Sequence, residues 1–366
     1  MNRRTVLLAC AHAGLLVLAR SVSAQPEPRV VFLNPGEPFD RGAGPYWSLV
    51  AKSMSAAATS LGVELEMLHG ERDHLLMLRQ AEEVALRSNP PDYIVIVNEK
   101  STAPQMLQMF AASRAKILLL HNDLTPEQRR SIGNERERIP NWIGTVTTDA
   151  RQATHRLMEH LYSRLGEQEP RIIGITGDPN TPVSLQRAQG VEDCVSRAGR
   201  GRINQLVFGN WGYADGESKA AILLARYPDT NIIWAANDSM ALGALQAVKV
   251  RDASVLVGGM GGWPDAISSI AAGGLTATAA GNFVVGPFAI ILLYDYHHGQ
   301  DFAVHGGVAQ QLEYFMVDRE NVARYDEVLM KRPDALDFGR YSKVLNPRPG
   351  PYEFSLKSLL EERNAL

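Results

Sequence analysis

The sequence predicts an α/β protein built from two doubly wound parallel-sheet lobes. The chain has 366 residues, which is more than one hydrophobic core usually carries. Short β-branched runs alternate along it with amphipathic helical stretches. Continuous apolar runs such as Ile117 to Leu120 are typical of strands that helices cover on both faces, as in a parallel sheet.

The composition and charge exclude several classes of protein. With 45% hydrophobic and 21% charged residues, the chain is expected to fold rather than to remain disordered. Its formal net charge of −3 supplies no basic field that would attract nucleic acid or anionic lipid. We therefore expect no nucleic-acid partner and no membrane-surface role.

Residues 1–24 have the pattern of a secretory signal peptide. Arg3 and Arg4 precede an apolar run, and Val22 to Ala24 supplies the small residues of a cleavage site. A membrane anchor would need a longer apolar run, and lipidation at Cys10 remains an open alternative. Cleavage would place the mature chain in the periplasm with Cys194 alone, so no intramolecular disulfide could form.

The elements of the first lobe follow in order from residue 30. Strands are predicted at 30–33, 63–68, 93–97 and 117–120, and helices at 46–61, 72–87 and 103–113. The charged stretch 122–141 then interrupts the pattern, and we interpret it as a solvated loop.

The strand and helix pattern restarts at Trp142, which indicates the second lobe. Strands are predicted at 142–146, 171–176, 203–208, 231–235, 254–257, 276–280 and 311–317. Helices are predicted at 149–164, 185–198, 214–226, 239–248, 266–272 and 284–297.

The tail, residues 318–366, does not continue the alternation. It contains Pro333, Pro347, Pro349 and Pro351, and a helical pattern returns only at 355–363. Its spaced apolar residues predict an ordered strap that packs along one lobe. The alternative is a tether that orders only on a membrane partner.

Signatures of catalysis and of cofactor binding are missing from the sequence. There is no G-x-S-x-G and no H-E-x-x-H motif. The loop from Gly258 to Gly262 follows a strand but lacks the lysine and hydroxyl residue of a phosphate-binding loop. We therefore predict a protein that is not an enzyme and has no cofactor and no metal.

Polar side chains gather where the predicted strands end, which is where ligands bind in open α/β sheets. Amides, carboxylates and a guanidinium suit a ligand rich in hydroxyls, since each hydroxyl both donates and accepts. Aromatic faces could pack on a sugar ring, although core packing is the commoner role of such side chains. The candidate ligand contacts are Tyr46, Trp47, Asn98, Asn122, Arg187, Trp211, Asn237, Asp238 and Met260.

Several motifs resemble type I periplasmic binding proteins of the ribose-binding group. They are the run Pro45 to Trp47, the strand Asp92 to Asn98, the segment Arg187 to Gly190 and the run Ala236 to Ala244. The last is the most specific, although related repressors carry it behind a DNA-binding module. The resemblance extends over about residues 29–317.

The resemblance implies two lobes joined by a hinge of three strands, with the ligand in the cleft. The chain would cross near Gly144 to Thr148, near Gly281 and Asn282, and near Glu313 to Phe315. The N-terminal lobe would then comprise 25–146 and 282–312, and the C-terminal lobe 147–281 and 313–330. Residues 331–366 would form a C-terminal extension.

Departures from the family pattern leave the ligand open. Gly261 stands where ribose binders have an aspartate, and Gly281 where they have a glutamine. The Tyr-Trp pair and the glycine-rich loop are more similar to periplasmic autoinducer-2 receptors, but the arginine of those receptors is replaced by Ala280 or Gly281. The loop 36–44, with Glu37, Asp40 and Arg41, is expected to reshape the pocket.

These features predict a periplasmic solute-binding protein, monomeric, that closes on a small sugar-like ligand. The partner implied by the resemblance is an inner-membrane ABC permease. The alternative is a membrane sensor kinase or receptor, and a secreted enzyme is a weaker third hypothesis.

Overall fold

The computed structural model describes residues 26–38, 46–252, 254–331 and 336–361. The predicted signal peptide, Asp40 and Arg41 lie outside these residues. Each of two six-stranded sheets carries helices on its faces, so the predicted α/β class is confirmed. Both sheets are parallel apart from one antiparallel edge strand in the second.

The first lobe is built on the sheet that begins the chain. Its strands are β1 (Arg29–Asn34), β2 (Glu64–His69), β3 (Tyr93–Val97), β4 (Lys116–His121), β5 (Trp142–Thr148) and β11 (Ala309–Leu312). Its helices are α1 (Tyr46–Leu61), α2 (His74–Ala85), α3 (Ala103–Phe110), α4 (Pro126–Ile132) and α10 (Val285–His297). The strand order is β2-β1-β3-β4-β5-β11.

The second lobe repeats this topology. Its strands are β6 (Arg171–Thr176), β7 (Arg202–Phe208), β8 (Ile232–Ala235), β9 (Leu256–Gly261), β10 (Ala277–Ala280) and β12 (Phe315–Asp318). Its helices are α5 (Ala150–Leu165), α6 (Pro182–Ala198), α7 (Tyr213–Arg226), α8 (Asp238–Val250), α9 (Pro264–Ala271) and α11 (Val322–Tyr325). The order β7-β6-β8-β9-β10-β12 matches that of the first sheet.

Both faces of the first sheet are buried, as its apolar strands predict. In β4, Ile117 and Leu119 pack in one hydrophobic cluster, whereas Leu118 and Leu120 pack in the other. Because successive strand residues point to opposite faces, one strand supplies two cores. No helix among the described residues has the length and apolar character to cross a membrane.

The chain passes between the lobes three times. It leaves the first sheet after Thr148, returns between β10 and α10, and leaves again between β11 and β12. The predicted single strand 311–317 is therefore wrong, since its two halves belong to different sheets. The break falls at Glu313 and Tyr314.

The charged stretch 122–141 is more ordered than the predicted solvated loop. It contains α4, which begins with a capping box between Thr125 and Gln128. Arg129 bonds both Asp123 and Glu135, with nitrogen–oxygen distances of 2.6 and 3.0 Å. Charge pairing within the segment, which residue counts do not reveal, makes this structure possible.

After α11 the tail runs across both lobes. Residues 336–361, here called the strap, lie first on α10, where Phe354 stacks on Phe288 with ring centroids 5.2 Å apart. The strap then ends in α12 (Leu356–Glu361), whose Leu360 carbonyl accepts two hydrogen bonds from Arg324 of the second lobe. The prediction that the tail follows one lobe is therefore wrong.

Candidate functional site

A cleft lies between the lobes. Its walls come from the segments that follow β1 to β4 in the first lobe and β6 to β10 in the second, where the carboxyl ends of parallel strands create a ligand site. The lining residues are Gly36, Glu37, Tyr46, Trp47, Ser48, Arg72, Glu99, His121, Asn122, Thr181, Val183, Arg187, Trp211, Asn237, Trp263 and Asn282.

Three rings form the first-lobe wall. Tyr46 and Trp47 begin α1 and meet edge to face, with centroids 4.8 Å apart. His121 ends β4 in a left-handed conformation, with φ of 67°, and its Nδ1 lies 2.7 Å from the Tyr46 hydroxyl. Such a backbone is strained for a non-glycine residue and is found most often at functional sites.

The imidazole of His121 is held neutral. Burial, and then the positive charges of Arg187 and Arg72, lower its pKa to about 3. A neutral ring has one donor and one acceptor nitrogen, so it serves hydroxyls better than a cation would.

Arg187 and Trp211 form the centre of the second-lobe wall. Arg187 is 3% exposed; its Nη1 donates to the Ala236 carbonyl and its Nη2 donates to the Tyr314 hydroxyl at 3.0 Å. The guanidinium carbon lies 5.8 Å from the centroid of the Trp211 ring. Among the described residues no carboxylate forms an ion pair with Arg187.

Carboxylates are supplied by the first lobe. Glu99 is 2% exposed, and its Oε1 lies 3.2 Å from Nη2 of Arg72. Glu37, in the segment between β1 and α1, also lines the cleft. The cleft therefore contains negatively charged acceptors and positively charged donors.

Many polar atoms of the cleft are buried without a hydrogen-bond partner. Such atoms are rare in folded proteins, because leaving one unpaired costs about 1–3 kcal/mol. In the described part of the chain, the lining residues contribute Glu37 Oε2, Asn122 Oδ1, Thr181 Oγ1, Arg187 Nε, Trp263 Nε1 and Asn282 Oδ1. A hydroxylated ligand would satisfy both the donors and the acceptors in this set.

Six of the nine predicted contacts line the cleft. They are Tyr46, Trp47, Asn122, Arg187, Trp211 and Asn237. Asn237 also caps α8, since its Oδ1 accepts from Met240 N at 2.9 Å and its Nδ2 donates to the Trp211 carbonyl at 2.8 Å. Its amide therefore fixes Trp211 as well as the helix.

Asn98, Asp238 and Met260 are not among the residues that line the cleft, and their side chains have partners elsewhere in the protein. Asn98 donates to Asp123 O and Gln128 Oε1 and caps the start of α3. The carboxylate of Asp238 accepts from Gly262 N, Trp263 N and Thr278 Oγ1. The Met260 sulfur lies 3.1 Å from Thr154 Oγ1.

Nine of the lining side chains are not among the nine predicted ligand contacts. His121, Arg72 and Glu99 follow strands, so the rule of strand ends covers them; Trp263 and Asn282 follow the two glycines that depart from the family pattern. The position of these five residues after a strand is the sequence feature that could have identified them.

Those two glycines are explained by their neighbours. Gly261 has φ of 144°, and a Cβ there would lie 2.5 Å from Nε1 of Trp263. Gly281 has φ of 100°, and a Cβ there would lie 2.4 Å from Leu356 of the strap. Indole and strap thus occupy the space that side chains at these positions would need.

No group of three or more His, Cys, Asp or Glu side chains in the described ranges is arranged to hold a metal ion.

Comparison with known proteins gives the same architecture. The model of a family described as "Periplasmic binding protein domain" matches residues 39–300. A ribose import binding protein of Haemophilus influenzae is 24% identical over 296 residues, which are 75% of this chain and 87% of the relative. The D-allose-binding periplasmic protein of Escherichia coli is 25% identical over 271 residues, covering 73% and 83%.

A solved structure extends the likeness to most of the chain. A periplasmic sugar-binding protein from Pseudomonas fluorescens superposes with a TM-score of 0.82 at 30% identity, covering 91% of this chain and 99% of that one. The family model spans most of both lobes, and the strap lies beyond it. The chain belongs to the periplasmic binding protein domain family.

Proposed function

We propose that this protein captures a small, neutral, sugar-like ligand in the cleft and delivers it in the closed form to an ABC permease. The observation that carries the proposal is the set of buried, unpartnered polar atoms on both walls. A ligand that bonds atoms of both lobes favours the closed state by its extra affinity for that state.

The chemistry of the walls supports a hydroxylated ring. Tyr46, Trp47 and Trp211 offer flat apolar faces, while amides, carboxylates and Arg187 surround them with donors and acceptors. Ribose and allose are the sugars named for two relatives, and a related structure of 19% identity holds D-allose. The glycines at 261 and 281 argue against carrying either sugar over directly.

Export to the periplasm is part of the proposal. Residues 1–24 would be removed as a signal peptide, and the monomeric mature chain would meet its membrane partner there. N-terminal sequencing of protein from a periplasmic fraction should begin at Gln25. Retention of the first 24 residues would contradict export by cleavage.

Native mass spectrometry of freshly purified protein tests the ligand class. We expect an added mass corresponding to a monosaccharide or polyol, lost on denaturation, and micromolar or tighter binding of that compound by calorimetry. The Arg187→Ala variant, purified in parallel, should carry little of it. Absence of any added mass, together with no binding across a panel of neutral sugars, would contradict the proposal.

The membrane partner needs a separate assay. In reconstituted vesicles, the liganded protein should stimulate ATP hydrolysis by its ABC permease. Stimulation of a sensor kinase instead would favour the receptor alternative.

A further inference from the structure

Tyr314 lies on the third crossing, between β11 and β12, near where the resemblance implies that the chain passes between the lobes. Its side chain is buried, with 8% exposed. It does not line the cleft, yet its hydroxyl touches a residue that does. This tyrosine therefore connects the hinge to the ligand site.

The Tyr314 hydroxyl has two partners on different parts of the molecule. Nη2 of Arg187, on α6 of the second lobe, donates to it at 3.0 Å. Oγ1 of Thr148, the last residue of β5 on the first crossing, donates to it at 3.2 Å. One oxygen thus joins two crossings and the buried guanidinium.

This contact fixes the direction of the Arg187 nitrogen that the cleft leaves unpaired. The guanidinium is planar, so holding Nη1 on the Ala236 carbonyl and Nη2 on Tyr314 determines where Nε points. Nε is buried and has no partner among the described residues. Without the tyrosine oxygen, one hydrogen bond and the Trp211 ring would remain to orient the group.

We propose that Tyr314 is a positioning residue, which aims Arg187 at the ligand and couples that contact to the hinge. The proposal rests on the proposed function, because it assumes that Arg187 binds the ligand. Arg187 moves with the second lobe, whereas Tyr314 and Thr148 lie on the crossings about which the lobes rotate. A ligand that binds Arg187 is therefore linked through Tyr314 to two crossings.

The first test needs no ligand. Crystal structures of unliganded wild type and Tyr314→Phe should differ in the Arg187 side chain, with the guanidinium displaced by more than about 1 Å or disordered. Tyr352→Phe, which removes the hydroxyl of a half-buried tyrosine in the strap, is the matched control and should leave Arg187 in place. A guanidinium unmoved in Tyr314→Phe would overturn the proposal.

The second test is a double-mutant cycle on binding. Calorimetry with D-ribose, D-allose, L-arabinose and myo-inositol selects the tightest probe for the wild type. Tyr314→Phe should weaken that probe about tenfold, because a hydrogen bond to a charged group is lost. In the Arg187→Ala background the same change should have less than about a twofold effect.

Additive losses in the cycle would show that Tyr314 acts without Arg187 and would overturn the proposal. An equal loss in Tyr352→Phe would do the same, because it would mark a general effect of instability. If the wild type binds none of the four probes, the proposed sugar class fails, and the crystal structures alone decide the role of Tyr314.

Discussion

The cleft and the strap contact on α10 both bury polar side chains, but those of the cleft lack partners whereas those of the strap contact are fully hydrogen-bonded. In the cleft, Arg187 Nε, Asn122 Oδ1 and Asn282 Oδ1 have no partner among the described residues. At the strap contact, Asp295 is fully buried and each of its oxygens accepts two hydrogen bonds. The donors are Ser342 Oγ and Val344 N on Oδ1, and Lys343 N and Tyr352 Oη on Oδ2.

This difference separates atoms that hold the fold together from atoms kept for a ligand. A carboxylate with all its acceptor positions filled gains nothing from solvent or solute, so Asp295 can only stabilise the native chain. An unpaired buried atom costs stability until something binds it. Mutations in the two regions should therefore affect different measurements.

Removal of the strap should have the largest effect on stability. A chain that ends at Lys331 loses the buried side chains of Phe338, Tyr341, Phe354, Leu356, Leu359 and Leu360. We expect the free energy of unfolding to fall by roughly 5 kcal/mol in urea titrations. Ligand affinity should change less than about fivefold. Loss of binding by a folded truncated chain would contradict the separate roles of the strap and the cleft.

Arg187→Ala should have the largest effect on binding. Loss of a buried guanidinium that bonds the ligand should weaken affinity at least a hundredfold, or about 3 kcal/mol, in calorimetry. Arg151→Ala, which removes an exposed arginine of the same lobe, is the control and should bind as the wild type does. Affinity of Arg187→Ala within a factor of two of wild type would remove this residue from the site.

Asp295→Ala should lower stability and leave ligand affinity nearly unchanged. Four donors lose their acceptor, so the free energy of unfolding should fall by about 3 kcal/mol while affinity stays within about threefold. Asp193→Ala, which breaks an exposed ion pair, should cost less than about 1 kcal/mol. A large loss of affinity at Asp295, with stability unchanged, would show that the strap contact belongs to the binding machinery.

The smallest of these effects concerns pH. Because the native pKa of His121 is about 3, the unfolded chain takes up a proton below about pH 6.5 while the native chain does not. Stability from this residue is thus present above pH 6.5 and lost as the pH falls, by roughly 2 kcal/mol at pH 5. His121→Gln should flatten this part of the stability profile, and identical profiles would contradict a buried neutral imidazole.

The direction of the strands is enough to predict which end of each sheet faces the cleft. Polar residues after strands include Asn122 and Asn237, and both reach the cleft. Asn98 and Asp238 also follow strands but do not line the cleft, since a side chain in that place can instead turn back to cap a helix or bond a neighbouring loop. Position does not distinguish these outcomes; only the partners that surround the side chain do.

The strap shows a second limit of sequence reasoning. Its prolines and spaced apolar residues predict order, but they do not say which surface it covers. That depends on Asp295 and on Leu356 meeting Gly281, contacts between residues distant in the chain. The break of the predicted strand at Tyr314 has the same cause, because its two halves pair with different sheets.

A crystal structure with the sugar that calorimetry selects tests the central claim most directly. We expect sugar hydroxyls at hydrogen-bond distance from Arg187 Nε, Asn122 Oδ1 and Asn282 Oδ1, with the ring against Tyr46 or Trp47. A ligand bound elsewhere, or one that leaves these polar atoms unpaired, would contradict it.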